Sequence, residues 1–216
     1  MAKRQPRQRT DTRRKGQSQK SAGQTVLIVC EGTKTELNYF KELRREYKLQ
    51  AVHAVEVTAG SSGRNAKNIL HDAKKRYKVS KEKGDAFDRV YCVFDQDDEM
   101  GANTGFRDVI AEIDKMTDFY AAYSVPSFEF WLLLHFPPYS RPSCLTPKQV
   151  FDHLQKVYPQ YDKKRVGIFL ELHDKLDQAL GHADRCNKEA EECGEDNPST
   201  QIHNLVRFLQ ELRDVR

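Results

Sequence analysis

The sequence lacks the features that mark several large protein classes. No apolar run approaches the length of a membrane-spanning helix, and no hydrophobic segment follows the basic N-terminal residues as in a secretory signal. The five cysteines form no CxxC pair, and Cys30 and Cys92 fall within apolar runs, which indicates buried thiols. A zinc site from His182, Cys186 and Cys193 would match no common spacing. These absences predict a cytoplasmic protein without disulfides or membrane segments.

Several enzyme motifs are missing as well. The segment EGTKT is not a P-loop, because Ile28 and Thr33 stand where GxxxxGK[ST] requires glycine. A dinucleotide-binding GxGxxG is absent, since Gly32 has no second glycine two residues on. The nucleophile motif GxSxG does not occur either. The sequence therefore gives no support for a P-loop NTPase, a Rossmann dehydrogenase or a serine hydrolase of the GxSxG type.

Positive charge is concentrated at the N-terminus. Residues 1–24 hold eight Lys or Arg and one Asp, a net charge of +7, whereas the whole chain carries +4. The remaining residues therefore sum to −3, and a polyanion must meet a local patch, a bound cation or this basic segment. Because residues 1–24 contain almost no apolar side chain, we expect a disordered basic tail.

The hydrophobic pattern predicts alternating strands and helices, followed by a helical C-terminal part. The predicted strands are Val26–Cys30, Val52–Thr58, Asp88–Phe94 and Phe119–Ser124. The predicted helices are Thr35–Tyr47, Asn65–Tyr77, Phe106–Met116, Pro126–Phe136, Lys148–Val157, Arg165–Ala190 and Thr200–Arg216. This order predicts an α/β fold with a parallel sheet of about four strands flanked by helices. We expect the α/β domain to span residues 25–136 and a helical extension, residues 137–216, to pack on it.

Acidic residues follow two of the predicted strands. Glu31 comes directly after the first strand, and Asp95, Asp97 and Asp98 come at the end of the third. A solvated acidic turn would explain one such acid. In a parallel sheet, however, the two strand ends can lie side by side, and converging carboxylates repel one another unless a cation neutralises them. Oxygen ligands of this kind suit Mg²⁺ or Mn²⁺.

Glu129 is the one acid within the apolar stretch VPSFEFWLLLHF. Burial of a lone carboxylate is costly, so such a group normally pairs, binds a metal or becomes protonated. Alternatively, Glu129 lies in the first turn of a helix that begins at Pro126 or Ser127, where the helix dipole favours negative charge. The sequence leaves both interpretations open.

Four basic residues are candidates for nucleic-acid binding. Lys34 lies just past Glu31, and the weaker candidates are Arg64 in a Gly/Ser loop and Lys163 or Lys164 at the start of a predicted long helix. Each has the alternative of an ordinary solvated surface residue. The basic N-terminal segment would bind any polyanion through counterion release and would make that binding salt-sensitive.

Four segments occur in the order and spacing typical of the RloB-like family, bacterial proteins encoded in restriction-modification and abortive-infection loci. The segments are VLIVCEGTKTELNYF, VYCVFDQDD, SVPSFEFWLLLHF and NPSTQIHNLVRFL. That family resembles a variant of the Toprim fold, whose signature is a Glu after the first strand and a DxD after the third. On this resemblance Glu31 corresponds to the Toprim glutamate, and Asp95 and Asp97 to the DxD acids. Glu129 corresponds to the glutamate of the family's own FExW block.

The resemblance implies a nuclease that uses one or two Mg²⁺ or Mn²⁺ ions and acts in anti-phage defence. Toprim nucleases often keep a further acid four residues after the first Glu, whereas Glu36 lies five residues after Glu31 and Asp98 is an optional ligand. DNA, RNA and tRNA are all open as substrates. The resemblance also implies an ATPase partner of the ABC or AAA type. Two alternatives stay open: a non-catalytic nucleic-acid-binding or regulatory subunit of such a complex, and a small-molecule phosphotransferase.

Overall fold

The computed structural model describes residues 23–51, 53–61, 65–96, 105–137 and 145–214. Its strands are β1 (Thr25–Cys30), β2 (Ala54–Ala59), β3 (Arg89–Asp95), β4 (Phe119–Val125) and β5 (Ser199–Thr200). Its helices are α1 (Thr35–Glu46), α2 (Ala66–Glu82), α3 (Phe106–Ile113), α4 (Phe128–Leu133), α5 (Pro147–Val157), α6 (Ile168–Leu172), α7 (Leu176–Cys193) and α8 (Ile202–Asp214). Short 3-10 turns occupy Leu49–Ala51 and His173–Lys175.

The strands form one sheet in the order β2-β1-β3-β4-β5. The four strands β1 to β4 are parallel, which confirms the predicted α/β fold with a parallel sheet. The prediction of about four strands missed β5, which pairs antiparallel with the end of β4. The reason is its length, because two residues, Ser199 and Thr200, carry no alternating pattern, and Thr200 was assigned to the last helix.

Helices cover both faces of the sheet. Alternate residues of β1 face opposite layers: Ile28 packs with α1 and the C-terminal helices, whereas Leu27 packs with α2 and α3. The first layer contains the aromatic side chains of α4 and continues into α5, α6, α7 and α8. The C-terminal helices thus share a core with the sheet, while a domain boundary at residue 136 stays a prediction.

The C-terminal part departs from the sequence prediction at a second place, ahead of β5 in the chain. The pattern predicts a single helix over Arg165–Ala190, but the chain forms α6, a 3-10 turn and α7. Gly167, immediately before α6, adopts a left-handed conformation with φ of +93°, which other residues rarely adopt. A continuous helix through residue 167 is therefore excluded. The helix predicted over Lys148–Val157 is present and begins one residue earlier, at Pro147, where Thr146 and Gln149 form a capping box.

Other expectations concern cysteines, membrane segments and the tail. Within the described residues no helix is both long enough and apolar enough to span a bilayer. Among the described cysteines Cys30, Cys92, Cys186 and Cys193 no disulfide is present, and Cys144 lies outside the described residues. The predicted basic tail, residues 1–24, lies outside them as well, except for its last two residues.

Candidate acidic site

The ends of β1 and β3 bring two of the predicted acids together. These strands are adjacent and parallel, so their carboxyl ends lie at the same edge of the sheet. The backbone N–H of Asp95 donates a hydrogen bond to Glu31 Oε2 over 3.2 Å. The backbone N–H of Glu31 in turn donates to the carbonyl of Val93 over 2.9 Å. The strand ladder itself therefore holds Glu31 beside Asp95.

Two further elements, α4 and α1, add contacts to this pair. The backbone N–H of Phe128, at the start of α4, donates to Asp95 Oδ2 over 3.0 Å. From α1, the carboxylate of Glu36 folds back over Gly32. A Cβ atom at residue 32 would lie 1.7 Å from Glu36 Oε2, so glycine leaves the space that the Glu36 carboxylate occupies.

Burial and the crowding of carboxylates raise the pKa values of two acids. Burial, together with the negative charges of Glu36 and Glu129, raises the pKa of Asp95 well above its usual range. Burial and the carboxylates of Glu129 and Glu31 raise the pKa of Glu36 to about 7. The neighbouring carboxylates thus disfavour ionisation of Asp95 and Glu36, and the cluster favours a bound proton or a bound cation.

Glu129 lies in the first turn of α4 and is 5% exposed. Its Oε1 accepts a hydrogen bond of 2.9 Å from the hydroxyl of Tyr161 and lies 3.3 Å from Lys163 Nζ. The position agrees with the capping alternative, but the carboxylate is also paired with side chains from a distant segment. Helix capping alone therefore does not account for the contacts of the Glu129 carboxylate.

The carboxylates described above line one pocket of about 300 Å³. Its described lining includes four carboxylates, from Glu31, Glu36, Asp95 and Glu129, and three lysines, Lys34, Lys163 and Lys164. The structure thus places seven of the predicted site residues together. The remaining three, Arg64, Asp97 and Asp98, lie outside the described residues.

A larger groove of about 530 Å³ lies elsewhere, along β4 between α3 and α8. Its lining mixes the cations of Arg89 and Arg207 with the carboxylates of Asp114 and Glu211. Among its described lining residues there is no buried cluster of like charge, which is the feature that marks the smaller pocket. We therefore take the smaller, acidic pocket as the candidate site.

The donor set of the pocket fits Mg²⁺ or Mn²⁺ in its chemistry, because it offers carboxylate oxygens and neither sulfur nor imidazole. Within the described part of the chain, however, no three His, Cys, Asp or Glu side chains are grouped so that they could hold one ion. Asp97, the third ligand expected from the DxD pattern, is not among the described residues. The ion, its ligands and the catalytic roles stay predictions.

Three residues of this site were not predicted from the sequence. Tyr161 donates to Glu129, and the hydroxyl of Thr35 donates to the carbonyl of Lys163 over 2.8 Å. Ser127 lines the pocket with a buried hydroxyl that has no hydrogen-bond partner within the described ranges. Tyr161 gave no sequence signal, because it lies between two helices and is remote in the chain from the acids of the pocket. Ser127 offered a weak one, since it directly precedes the FEFW segment.

Comparison with known proteins agrees with the resemblance noted in the sequence. The profile of the family described as RloB-like protein matches residues 26–209, which is most of the chain. Comparisons with curated proteins and with solved structures returned no match. The match covers the sheet, the acidic pocket and the C-terminal helices, and the chain belongs to the RloB-like protein family.

Proposed function

We propose that this protein is a divalent-metal-dependent nuclease that hydrolyses phosphodiester bonds of DNA or RNA in bacterial anti-phage defence. The observation that carries the proposal is the hydrogen-bonded pair Glu31 and Asp95 at adjacent ends of parallel strands, inside a pocket that also holds Glu36 and Glu129. Membership of the RloB-like family and the Toprim resemblance of that family support the same reading.

In this proposal Glu31 and Asp95, together with Asp97, hold the cation, and Glu36 and Asp98 are further ligands. A bound Mg²⁺ or Mn²⁺ would lower the pKa of a water and neutralise charge on the leaving oxygen. The side chains of the pocket position the cation and the substrate. Their carboxylates repel the phosphate backbone of the substrate in the absence of a cation, so substrate binding and cation binding are coupled.

Lysines on the pocket wall supply the opposite charge. Lys34, Lys163 and Lys164 line the pocket, so their ammonium groups can reach a phosphate of a bound strand. Arg64 and the basic N-terminal segment would add further phosphate contacts without sequence preference. We propose in addition a cytoplasmic location and an ATPase partner of the ABC or AAA type, as the family resemblance implies.

The alternative is a non-catalytic nucleic-acid-binding or regulatory subunit of an ATPase-containing complex. Such a protein would keep the Toprim frame without using the acids of the pocket for catalysis. The two functions differ in what they require of the acids, because only hydrolysis depends on them.

The acids therefore provide the test. Purified protein, with and without the ATPase encoded beside it, is incubated with labelled DNA, total RNA and tRNA in Mg²⁺, Mn²⁺ or EDTA. We expect cleavage that requires the metal and disappears in Glu31→Gln and Asp95→Asn, with loss of phage protection in cells. The matched control is Glu46→Gln, on the exposed face of α1, which should cleave normally. Phage protection that persists in both folded acid variants would contradict the nuclease and favour the alternative.

A further inference from the structure

The segment Tyr161–Lys164, called here the basic turn, connects α5 to α6 and lies against the acidic pocket. Two hydrogen bonds tie it to other elements: Tyr161 OH donates to Glu129 on α4, and Thr35 Oγ1, at the start of α1, donates to the carbonyl of Lys163. The turn is also ordered internally, since Lys164 N–H donates to Asp162 Oδ1 over 2.7 Å. Its backbone is thus fixed at the pocket independently of the lysine ammonium groups.

Glu129 has two partners on this turn, and they differ in exposure. Tyr161 is 2% exposed, so its hydroxyl is held in place by the surrounding core. The side chain of Lys163 is 65% exposed, although its Nζ lies 3.3 Å from the same Oε1 atom of Glu129. The ion pair is exposed on the lysine side only, so the hydrated ammonium group itself loses little when it leaves.

The cost of that departure falls on Glu129. A buried carboxylate that loses its last partner pays the full desolvation penalty of an unpaired charge. Because Tyr161 stays hydrogen-bonded to Glu129 Oε1, the carboxylate keeps one partner when Lys163 turns away. The two partners are therefore not equivalent, since one is fixed and the other is exchangeable.

We infer that Tyr161 is a positioning residue that keeps Glu129 satisfied while Lys163 leaves it to bind a phosphate of the substrate. The inference rests on the proposed function in one respect, which is that the ligand of the pocket is a nucleic-acid strand. Without the Tyr161 hydroxyl, Glu129 would retain Lys163 more tightly, and the ammonium group would be less available to the phosphate. Tyr161 then affects ligand affinity only through Lys163.

This dependence is tested by a double-mutant cycle between Tyr161→Phe and Lys163→Met. The readout is fluorescence anisotropy of a fluorescein-labelled single-stranded RNA oligonucleotide, and of the DNA of the same sequence, in Ca²⁺. We expect Lys163→Met to weaken binding by about fivefold or more, as for loss of a phosphate contact. Tyr161→Phe should weaken it by about threefold, as for loss of one hydrogen bond, and the double variant should bind no worse than Lys163→Met alone.

Matched controls separate positioning from general stability. Tyr158→Phe removes a hydroxyl that donates to Glu171 away from the pocket, and Lys156→Met removes an exposed lysine of α5. Both should leave oligonucleotide affinity unchanged, and thermal unfolding of every variant verifies folding. Effects of Tyr161→Phe and Lys163→Met that multiply, or an affinity that does not depend on Lys163, would overturn the inference.

Failure of the nuclease proposal gives a different result. The same oligonucleotides are incubated with wild-type protein in Mg²⁺ and Mn²⁺, with and without the ATPase. Absence of cleavage together with the predicted binding pattern would overturn the nuclease and leave the role of Tyr161 in place. Cleavage together with independent effects of Tyr161→Phe and Lys163→Met would leave the nuclease in place and overturn the role of Tyr161.

Discussion

The acidic pocket is built from two regions that differ in how their side chains are held. Its floor consists of Glu31 and Asp95, which follow adjacent parallel strands and are linked through the strand backbone. One wall is the basic turn, Tyr161–Lys164, which is held at the pocket by hydrogen bonds to α4 and to the start of α1 and by the packing of α6 against α1. The floor is fixed by the geometry of the sheet, and the wall by packing between distant segments.

The attachment of the wall can be traced to a few residues. Phe169 of α6 is fully buried and packs edge-on against Tyr39 of α1, with ring centroids 5.3 Å apart. Glu42 of α1 accepts hydrogen bonds from the backbone N–H of Gly167, at 2.5 Å, and of Phe169, at 3.0 Å. Because the two regions are held by different contacts, substitutions can perturb the acids and the lysines of the basic turn separately.

The largest effect is expected where the wall joins the core. Phe169→Ala should lower the free energy of unfolding by about 3–5 kcal/mol, because it leaves a cavity between α6 and α1. Urea denaturation measures this loss. Leu170→Ala, at a neighbouring side chain that is 43% exposed, should cost less than about 0.5 kcal/mol. Equal losses in the two variants would mean that the wall does not depend on this contact.

The next effect concerns the floor. Asp95→Asn should reduce metal-dependent cleavage by at least about 100-fold, because an amide cannot neutralise a divalent cation. The fold should be retained, since the substitution removes one charge from a crowded cluster of carboxylates. Cleavage assays and circular dichroism measure the two properties. The control Asp152→Asn, at an exposed position of α5, should remain active, and an active Asp95→Asn variant would exclude Asp95 from the chemistry.

A smaller effect depends on pH and involves the contact between α4 and the C-terminal helices. Burial, with a lesser contribution from Lys175 and His182, lowers the pKa of His135 from 6.5 to about 4. The unfolded chain therefore binds more protons than the folded chain between these values, so stability is full above pH 6.5 and is lost as the pH falls towards 4. We expect this loss to be about 2 kcal/mol smaller in His135→Gln than in wild type.

Chemical denaturation at pH 7.5, 6 and 4.5 gives the comparison. The two curves of stability against pH should be parallel above about pH 6.5, where His135 is neutral in both states. Below about pH 6.5 the two curves should converge. A wild-type slope that the substitution does not change would show that His135 is not protonated on unfolding in this range.

The smallest effect is expected at the hydrogen bond between α1 and the basic turn. Thr35→Val keeps the shape of the side chain but removes the donor to the carbonyl of Lys163. We expect a loss of about 1 kcal/mol in the free energy of unfolding. Thr33→Val, at an exposed position of the same loop, should cause almost no change. A larger loss at Thr33 than at Thr35 would contradict this assignment.

The floor could be predicted from the sequence because its signal is local. An apolar strand followed at once by an acid occurs twice, at Glu31 and Asp95, and a parallel sheet places both acids at one edge. The signal for Glu129 was local as well, because a single acid within an apolar stretch requires a partner. The partner itself was not predictable.

The contacts that hold the basic turn at the pocket could not be predicted from a local sequence signal. Thr35 and Lys163 are 128 residues apart in the chain, and no periodicity links them. The predicted helix over Arg165–Ala190 also hid the break at Gly167, because a single glycine does not reveal its φ angle in the sequence. The lysines were candidates by charge alone, and the role of Tyr161 had no sequence signal.

By itself the sequence determined the alternation of strands and helices and the placement of acids at strand ends, because hydrophobic periodicity and parallel pairing act over short stretches of chain. Only the tertiary structure decided which side chains meet Glu129 and which lysines face the acids. Those contacts depend on how α6 and the basic turn pack against α1, and packing between segments far apart in the chain leaves no pattern in the order of residues.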